Sequence, residues 1–172
     1  MISAVRIVRA IDGHDRGLLA RAVLPASRPR WRRVAWTVVT HAGGGIVTVA
    51  VVVVPMLTGI WSRAASVHAA LALALSHAVV QIIKRGVSRE RPSLTSHLAC
   101  PDRFSFPSGH ATAALAVAMS YGSAFPSLAL PLVGSALVVG WSRVVLGVHY
   151  PGDVVTGQGI AIVTVIALPP LG

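Results

Sequence analysis

Three long stretches of this chain, residues 34–62, 64–83 and 111–142, contain no charged side chain at all. Within the first, the run Ile46-Val47-Thr48-Val49-Ala50-Val51-Val52-Val53-Val54 is apolar on every face of a helix, so it cannot turn one side to water. A helix rises about 1.5 Å per residue, and a hydrocarbon core of ~30 Å is crossed by about 20 residues. The first two stretches therefore each predict one spanning helix. The third would reach roughly 48 Å, too long for one crossing, and Phe125-Pro126-Ser127 is the natural place to divide it into two helices. Residues 154–168 supply a last span before Pro169-Pro170. The expectation is an all-α integral membrane helical bundle of about five spanning helices. Composition agrees: 12% of residues are charged and 54% are hydrophobic, whereas a soluble domain carries about 25% charged residues.

Where charge does occur, its placement is informative. The chain has 15 Lys+Arg against 5 Asp+Glu, a formal charge of +10. Eight arginines lie in the first 33 residues (Arg6, Arg9, Arg16, Arg21, Arg28, Arg30, Arg32, Arg33), mixed with Val, Ile and Leu. That mixture predicts an amphipathic helix lying on anionic headgroups, ended by Pro25 and Pro29. Nucleic acid is the weaker partner for these cations, because a single aromatic, Trp31, is interleaved with them rather than a series of stacking residues. With no linker, repeat or low-complexity tract, a single domain is expected over residues 1–172, with 1–33 a basic interfacial leader and 34–172 the bundle. Trp31, Trp36, Trp61 and Trp141 fall near span ends and read as interfacial anchors. Cys100 is the only cysteine, which excludes an intrachain disulfide and a multi-thiolate zinc site. No apolar stretch follows the first basic residues, so no cleavable signal is expected.

Five spans put the segments at 84–110 and 142–153 on the side of the N-terminus. By the positive-inside rule that side is cytoplasmic; were the leader itself to span, the two segments would move outward. These segments hold most of the remaining charge, and three patterns within them suggest chemistry. Arginine occurs 14 times and lysine once, and Lys84 closes the second span. Lys84 and Arg91 are seven apart, two helical turns, and could face the same way to hold a phosphate dianion. Phe106-Pro107-Ser108-Gly109-His110 directly precedes an apolar helix. There Ser108 and Gly109 offer backbone N–H groups to an anion, and His110 could give a proton to a leaving oxygen. In the stretch Ser142 to Asp153, Arg143 adds a cation, Pro151 fits a first helical turn, and His149 and Asp153 are four apart. That spacing lets the carboxylate accept from one ring nitrogen and leaves the other free as a nucleophile. Taken singly each is weak, since a histidine at a helix end is more often structural and Lys/Arg at span ends more often anchor topology.

Together the patterns resemble the type 2 phosphatidic acid phosphatase superfamily. Its motif is a lysine, six residues, Arg-Pro; then Pro-Ser-Gly-His; then Ser-Arg, five residues, His, three residues, Asp. All of it is present, over roughly residues 44–168. The resemblance implies a lipid phosphate substrate and no metal or other cofactor. It implies His149 as the nucleophile forming a phosphohistidine, Asp153 orienting it, and His110 as the acid and then the base. Lys84, Arg91, Ser108, Gly109 and Arg143 would hold the phosphate and its transition state. The family offers phosphatidic acid, phosphatidylglycerophosphate, polyprenyl diphosphates and polyprenyl-linked sugar phosphates as substrates. A polyprenyl diphosphate or simple glycerolipid phosphate is favoured for a chain without an extra domain. Rival readings are a phosphatase for soluble sugar phosphates, a vanadium haloperoxidase of the same motif, and a non-enzymatic lipid-binding or transport protein. Outside the motif, His41, His68 and His77 read as structural, and His97 as shaping the entrance.

Overall fold

The computed structural model describes residues 2–92 and 103–169, with side chains from Asp12 onward. His97 and Cys100 lie outside the described residues. Among the described residues the chain is all helical: α1 (Ile2–Ala22), α2 (Arg30–Ala42), α3 (Gly45–Thr58), α4 (Arg63–Val87), α5 (Gly109–Ala124), α6 (Pro126–Val145) and α7 (Pro151–Ala167). One isolated antiparallel bridge, Glu90 with Phe104, ties together the ends of the α4–α5 connection.

The boundaries follow local chemistry. Ser62 caps α4 by accepting from the Ala65 N–H at 3.5 Å, and Ser88 at φ 50° ends it in the left-handed conformation. Phe125 closes α5, and Pro126 opens α6 as the sequence predicts. Two expectations are corrected. The uncharged stretch 34–62 is not one straight span: α2 already begins at Arg30, and Gly43-Gly44, poor helix formers, separate it from α3 with a bend of 44°. The second correction concerns Lys84 and Arg91, which do not share a helix face, because α4 stops at Val87 and Arg91 lies in the following connection.

At the centre is α5, enclosed by α3, α4, α6 and α7. Beside Leu115, Val117 and Tyr121, many of its packing side chains are small: Ala116 and Ala118 cluster with Ala72 of α4, Ala136 of α6 and Ala161 of α7. Small residues let helix backbones approach closely where no water drives them together. Many large apolar side chains point outward, among them Ile46 (89% exposed), Leu130 (85%) and Ile166 (75%). An apolar exterior around a core of alanines is the pattern of a bundle solvated by lipid. By length and composition α4 and α6 are each sufficient to cross a membrane, and the bent α2–α3 pair makes a third candidate. The 16 residues of α5 and 17 of α7 reach only about 25 Å, so the expected count of five crossings is met by length in only part of the bundle.

Candidate active site

Three helix junctions meet at one end of the bundle, and each carries one of the sequence patterns. After α6, Gly147 (φ 69°) turns the chain so sharply that the N–H groups of Val148 and His149 both donate to the Arg143 carbonyl, at 3.1 and 3.2 Å. Arg143 and His149 are thereby locked into one loop. Pro151 then starts α7, and Asp153 caps it by accepting from the Tyr150 N–H at 2.9 Å. The same Asp153 Oδ2 lies 3.4 Å from Nδ1 of His149, close enough for an electrostatic hold yet longer than a well-made hydrogen bond.

The turn before α5 is anchored to this loop. The Ser108 N–H donates to the Asp153 carbonyl at 2.9 Å, and the Ser108 carbonyl accepts from the Thr112 hydroxyl at 2.9 Å. A side chain on Gly157 of α7 would sit 2.6 Å from that carbonyl and 2.7 Å from the Thr112 hydroxyl, so only glycine lets α7 press against the turn. Ser108 is fully buried, and its Oγ has no hydrogen-bond partner among the described residues.

The cations converge on the same place. Lys84, Arg91 and Arg143 line one cavity of about 790 Å³ with Gly109, His110 and His149. One Arg91 Nη donates to the Val148 carbonyl at 2.9 Å and lies 3.1 Å from His149 Nε2. That contact needs a lone pair on Nε2, which places the ring proton on Nδ1, toward Asp153. Arg143 donates to the Thr40 hydroxyl at 2.7 Å, which fastens α2 to the site. Burial, against the pull of Asp153 and with Arg143 and Arg91 adding to it, pushes His149 down to about 4. The ring is therefore neutral at pH 7, as a nucleophile must be. Of the eight residues singled out in the sequence, six line the cavity; Ser108 lies in the buried turn preceding Gly109, and Asp153 sits behind His149.

Sequence reasoning missed the network behind His149. Arg89, whose side chain is 6% exposed, donates from one Nη to Asp153 Oδ1 and to Asp15 Oδ2, both at 2.8 Å, and from the other to Asp12 Oδ1 at 2.7 Å. Its guanidinium lies 3.9 Å from the centroid of the Tyr150 ring, and the Arg89 contact holds the Asp12 carboxyl below its ordinary value. Asp15 also accepts from the Gly152 N–H at 2.8 Å. The leader helix is thus bound to the back of the site. One signal was available: Asp12 and Asp15 are two of only 5 acids, three residues apart on an otherwise basic helix.

The other histidines divide. His41 contacts the Thr37 carbonyl through Nδ1 at 2.6 Å, and His68 is buried on α4 with Nδ1 unpartnered among the described residues. His77, expected to be structural, pairs with Gln81 of its own helix at 3.1 Å and lines the cavity that holds His149. Trp61 is more than an anchor, because its ring packs edge-on against Tyr121 with centroids 4.3 Å apart.

Comparison with known proteins identifies the family and the fold. The family model described as PAP2 superfamily matches residues 65–171. Over 88 residues the chain is 49% identical to a decaprenylphosphoryl-5-phosphoribose phosphatase of Mycolicibacterium smegmatis, covering 48% of this chain and 47% of that protein. It is 32% identical over 88 residues to a lipid A 1-phosphatase of Rhizobium etli, covering 46% and 38%. The chain thus spans about half the length, or less, of the relatives it matches. Among solved structures, a transmembrane PAP2-type phosphatidylglycerolphosphate phosphatase from Bacillus subtilis superposes with a TM-score of 0.81 at 22% identity, over 96% of this chain and 88% of that one. That likeness establishes the fold, a membrane-embedded helical one.

Proposed function

The chain belongs to the PAP2 superfamily, and from that premise we propose that it is a membrane phosphatase that hydrolyses a lipid phosphate without a metal, through a phosphohistidine. The observation that carries the proposal is the two-ended cavity. Lys84, Arg91, Arg143, His110 and His149 stand at one end, and Val49, Val52, Val53, Ala70 and Leu73 of α3 and α4 line the other. A phosphate head on an apolar chain matches both ends at once, whereas a soluble sugar phosphate leaves the apolar half unused. The relatives whose names specify lipid-linked phosphates support the same class.

The reaction follows from the placement of groups. Nε2 of His149 attacks phosphorus in line, the bond from phosphorus to the lipid oxygen breaks, and His110, which takes up a proton as the phosphate anion binds beside it, gives that oxygen the proton. His110 then takes a proton from water, the hydroxide attacks the phosphohistidine, the P–N bond breaks, and inorganic phosphate leaves. Lys84, Arg91 and Arg143 with the Gly109 amide stabilise the trigonal-bipyramidal transition state, a contribution of several kcal/mol; the Ser108 amide, expected to join them, is taken by the Asp153 carbonyl and instead fixes the turn. Asp153 holds the Nδ1 proton and balances the charge of the phosphorylated ring. The disposition of the carboxylates favours metal-free chemistry: Asp12, Asp15 and Asp153 all face Arg89, and Glu90 pairs with Arg103 at 3.1 Å.

The test is phosphate release from lipid phosphates by purified protein in excess EDTA, for wild type and His149→Ala. Turnover that survives EDTA and vanishes in the variant is expected; EDTA-sensitive turnover refutes the mechanism. We place the site on the cytoplasmic side, because the arginine-rich leader is bound to it through Asp12 and Asp15. A cysteine introduced at position 97 in a Cys100→Ser background should resist impermeant maleimide in intact cells and react after lysis.

A further inference from the structure

Apart from the catalytic cavity, a second one of about 890 Å³ lies between the α1–α2 connection, α2 and the end of α6. The two share no lining residue. Along α2 the lining positions are Arg30, Arg33, Val34, Thr37, Val38 and His41, the spacing of one helix face. Charge occupies the first turn of that face and valines the next two, with Val38 about 12 Å along the axis from Arg30. Val34 and Val38 are 61% and 67% exposed. The rest of the wall is apolar too: Val145 and Leu146, buried at the end of α6, and Val23 and Leu24 of the connection. The Leu24 N–H donates to the Val145 carbonyl at 2.8 Å, which fastens these two parts of the wall together.

Arg28 adds a third cation from the connection. The four described carboxylates are engaged elsewhere, Asp12, Asp15 and Asp153 on Arg89 and Glu90 on Arg103. Among the described residues no carboxylate lines the cavity. A second copy of the chain docking here about a twofold axis would bring two arginine clusters together. The complement is instead one anionic phosphate carrying an apolar chain, because guanidinium groups hold phosphate oxygens in pairs and the valines beyond them take the chain. The leaflet around the bundle supplies such molecules as phospholipid diesters.

We propose that this cavity is a site for one anionic phospholipid that the protein binds without cleaving, its phosphodiester on Arg30 and Arg33 and one acyl chain along Val34 and Val38. The ligand has no terminal phosphate, and a phosphate at Arg33 stands about 12 Å along the helix from His41, the one histidine in the lining. It joins α2 to α6, the same two helices that the contact from Arg143 to Thr40 joins. Occupancy therefore steadies α2 against the catalytic loop.

The test is thermal denaturation of the full chain in detergent with added dioleoyl phosphatidylmethanol, a singly charged diester, against dioleoyl phosphatidylcholine and soluble dimethyl phosphate. At about a hundredfold its dissociation constant the anionic lipid should raise the melting temperature by about 5 °C or more, and the other two by less than about 1 °C. Arg30→Gln with Arg33→Gln should remove the shift. Arg21→Gln with Arg32→Gln, which deletes the same charge outside the cavity, should keep it. Val38→Trp, which fills the groove and leaves every charge in place, should also remove it, so the site stays testable if the first double variant folds poorly. Equal shifts from the two lipids, equal losses in the two double variants, or a shift from dimethyl phosphate as large as from lipid would overturn the site. A native mass spectrum showing a dimer that retains no lipid would do the same. None of these readouts involves turnover, so the outcome bears on this site and not on the reaction proposed above.

Discussion

Removing the Arg89 guanidinium by Arg89→Met should damage both stability and the nucleophile. The side chain is 6% exposed and binds Asp15 (6% exposed) and Asp153 (0%). Without it, two buried carboxylates lose their counter-charge, a loss of about 3–5 kcal/mol for a buried pair broken from one side. The third contact, to the 31% exposed Asp12, adds less than about 1 kcal/mol because water screens it. For a chain of this size each kcal/mol moves the melting temperature by about 2–4 °C, so a fall of about 10 °C is expected in detergent. Asp15→Asn removes one stranded charge, and the double variant should be more stable than Arg89→Met alone by about 1–2 kcal/mol.

A catalytic signature should accompany the thermal one. With Arg89 gone, the field of Asp153 at His149 is less offset, so the imidazolium is favoured and its titration rises from about 4 toward the ordinary histidine value. The acid limb of kcat/KM therefore moves to higher pH while KM changes little, because Arg89 does not line the cavity. An Arg89→Met protein that melts within a degree of wild type, with an unmoved acid limb, would refute the reasoning.

Other consequences are sharper in sign than in size. Asp153→Asn should lower kcat by about a thousandfold, through loss of the Nδ1 hold, with KM nearly constant in single-turnover and steady-state assays. Gly157→Ala forces a methyl against the Ser108 carbonyl and should cost about 1–3 kcal/mol in thermal denaturation and raise KM, since the anion-binding turn must shift. The depressed His149 favours the folded state above the histidine's unfolded value near 6.5, and this contribution is lost as pH falls toward about 4; melting curves of wild type should decline over that window more steeply than those of His149→Ala. Replacing Thr40 with Val should weaken product inhibition by inorganic phosphate about threefold or more, because Arg143 loses its 2.7 Å acceptor.

The motif residues were legible because their roles are local: a cap, a turn, a proline at the first position of a helix. Pro151 and the Phe125-Pro126 break stand where local rules put them. What was not legible depends on approach between distant segments. Nothing in the spacing of Lys84, Arg89 and Arg91 says which of the two arginines turns to the phosphate and which to the acids; that is decided by Ser88 at φ 50° and by the Ser105 N–H donating to the Arg89 carbonyl at 2.8 Å. Likewise the uncharged stretch 34–62 looked continuous because hydropathy averages over Gly43-Gly44, although the bend there lies against His110. An added Cβ at Gly44 would lie 3.7 Å from the His110 ring.

The two charge networks are separated by a single imidazole, and this separation determines what the site can bind. Behind His149, three carboxylates share Arg89; before it, Lys84, Arg91 and Arg143 face the cavity, and among the described residues no carboxylate lines it. Had Asp153 lacked Arg89, its less compensated charge would oppose a phosphate dianion arriving a few ångströms away and would shift His149 toward the imidazolium. Had the acids been placed in front, the cations would be neutralised before substrate came. Sequestering the acids with one buried arginine leaves the cavity a net positive field and leaves His149 neutral, and the leader helix, by supplying two of the three carboxylates, becomes a structural part of the site.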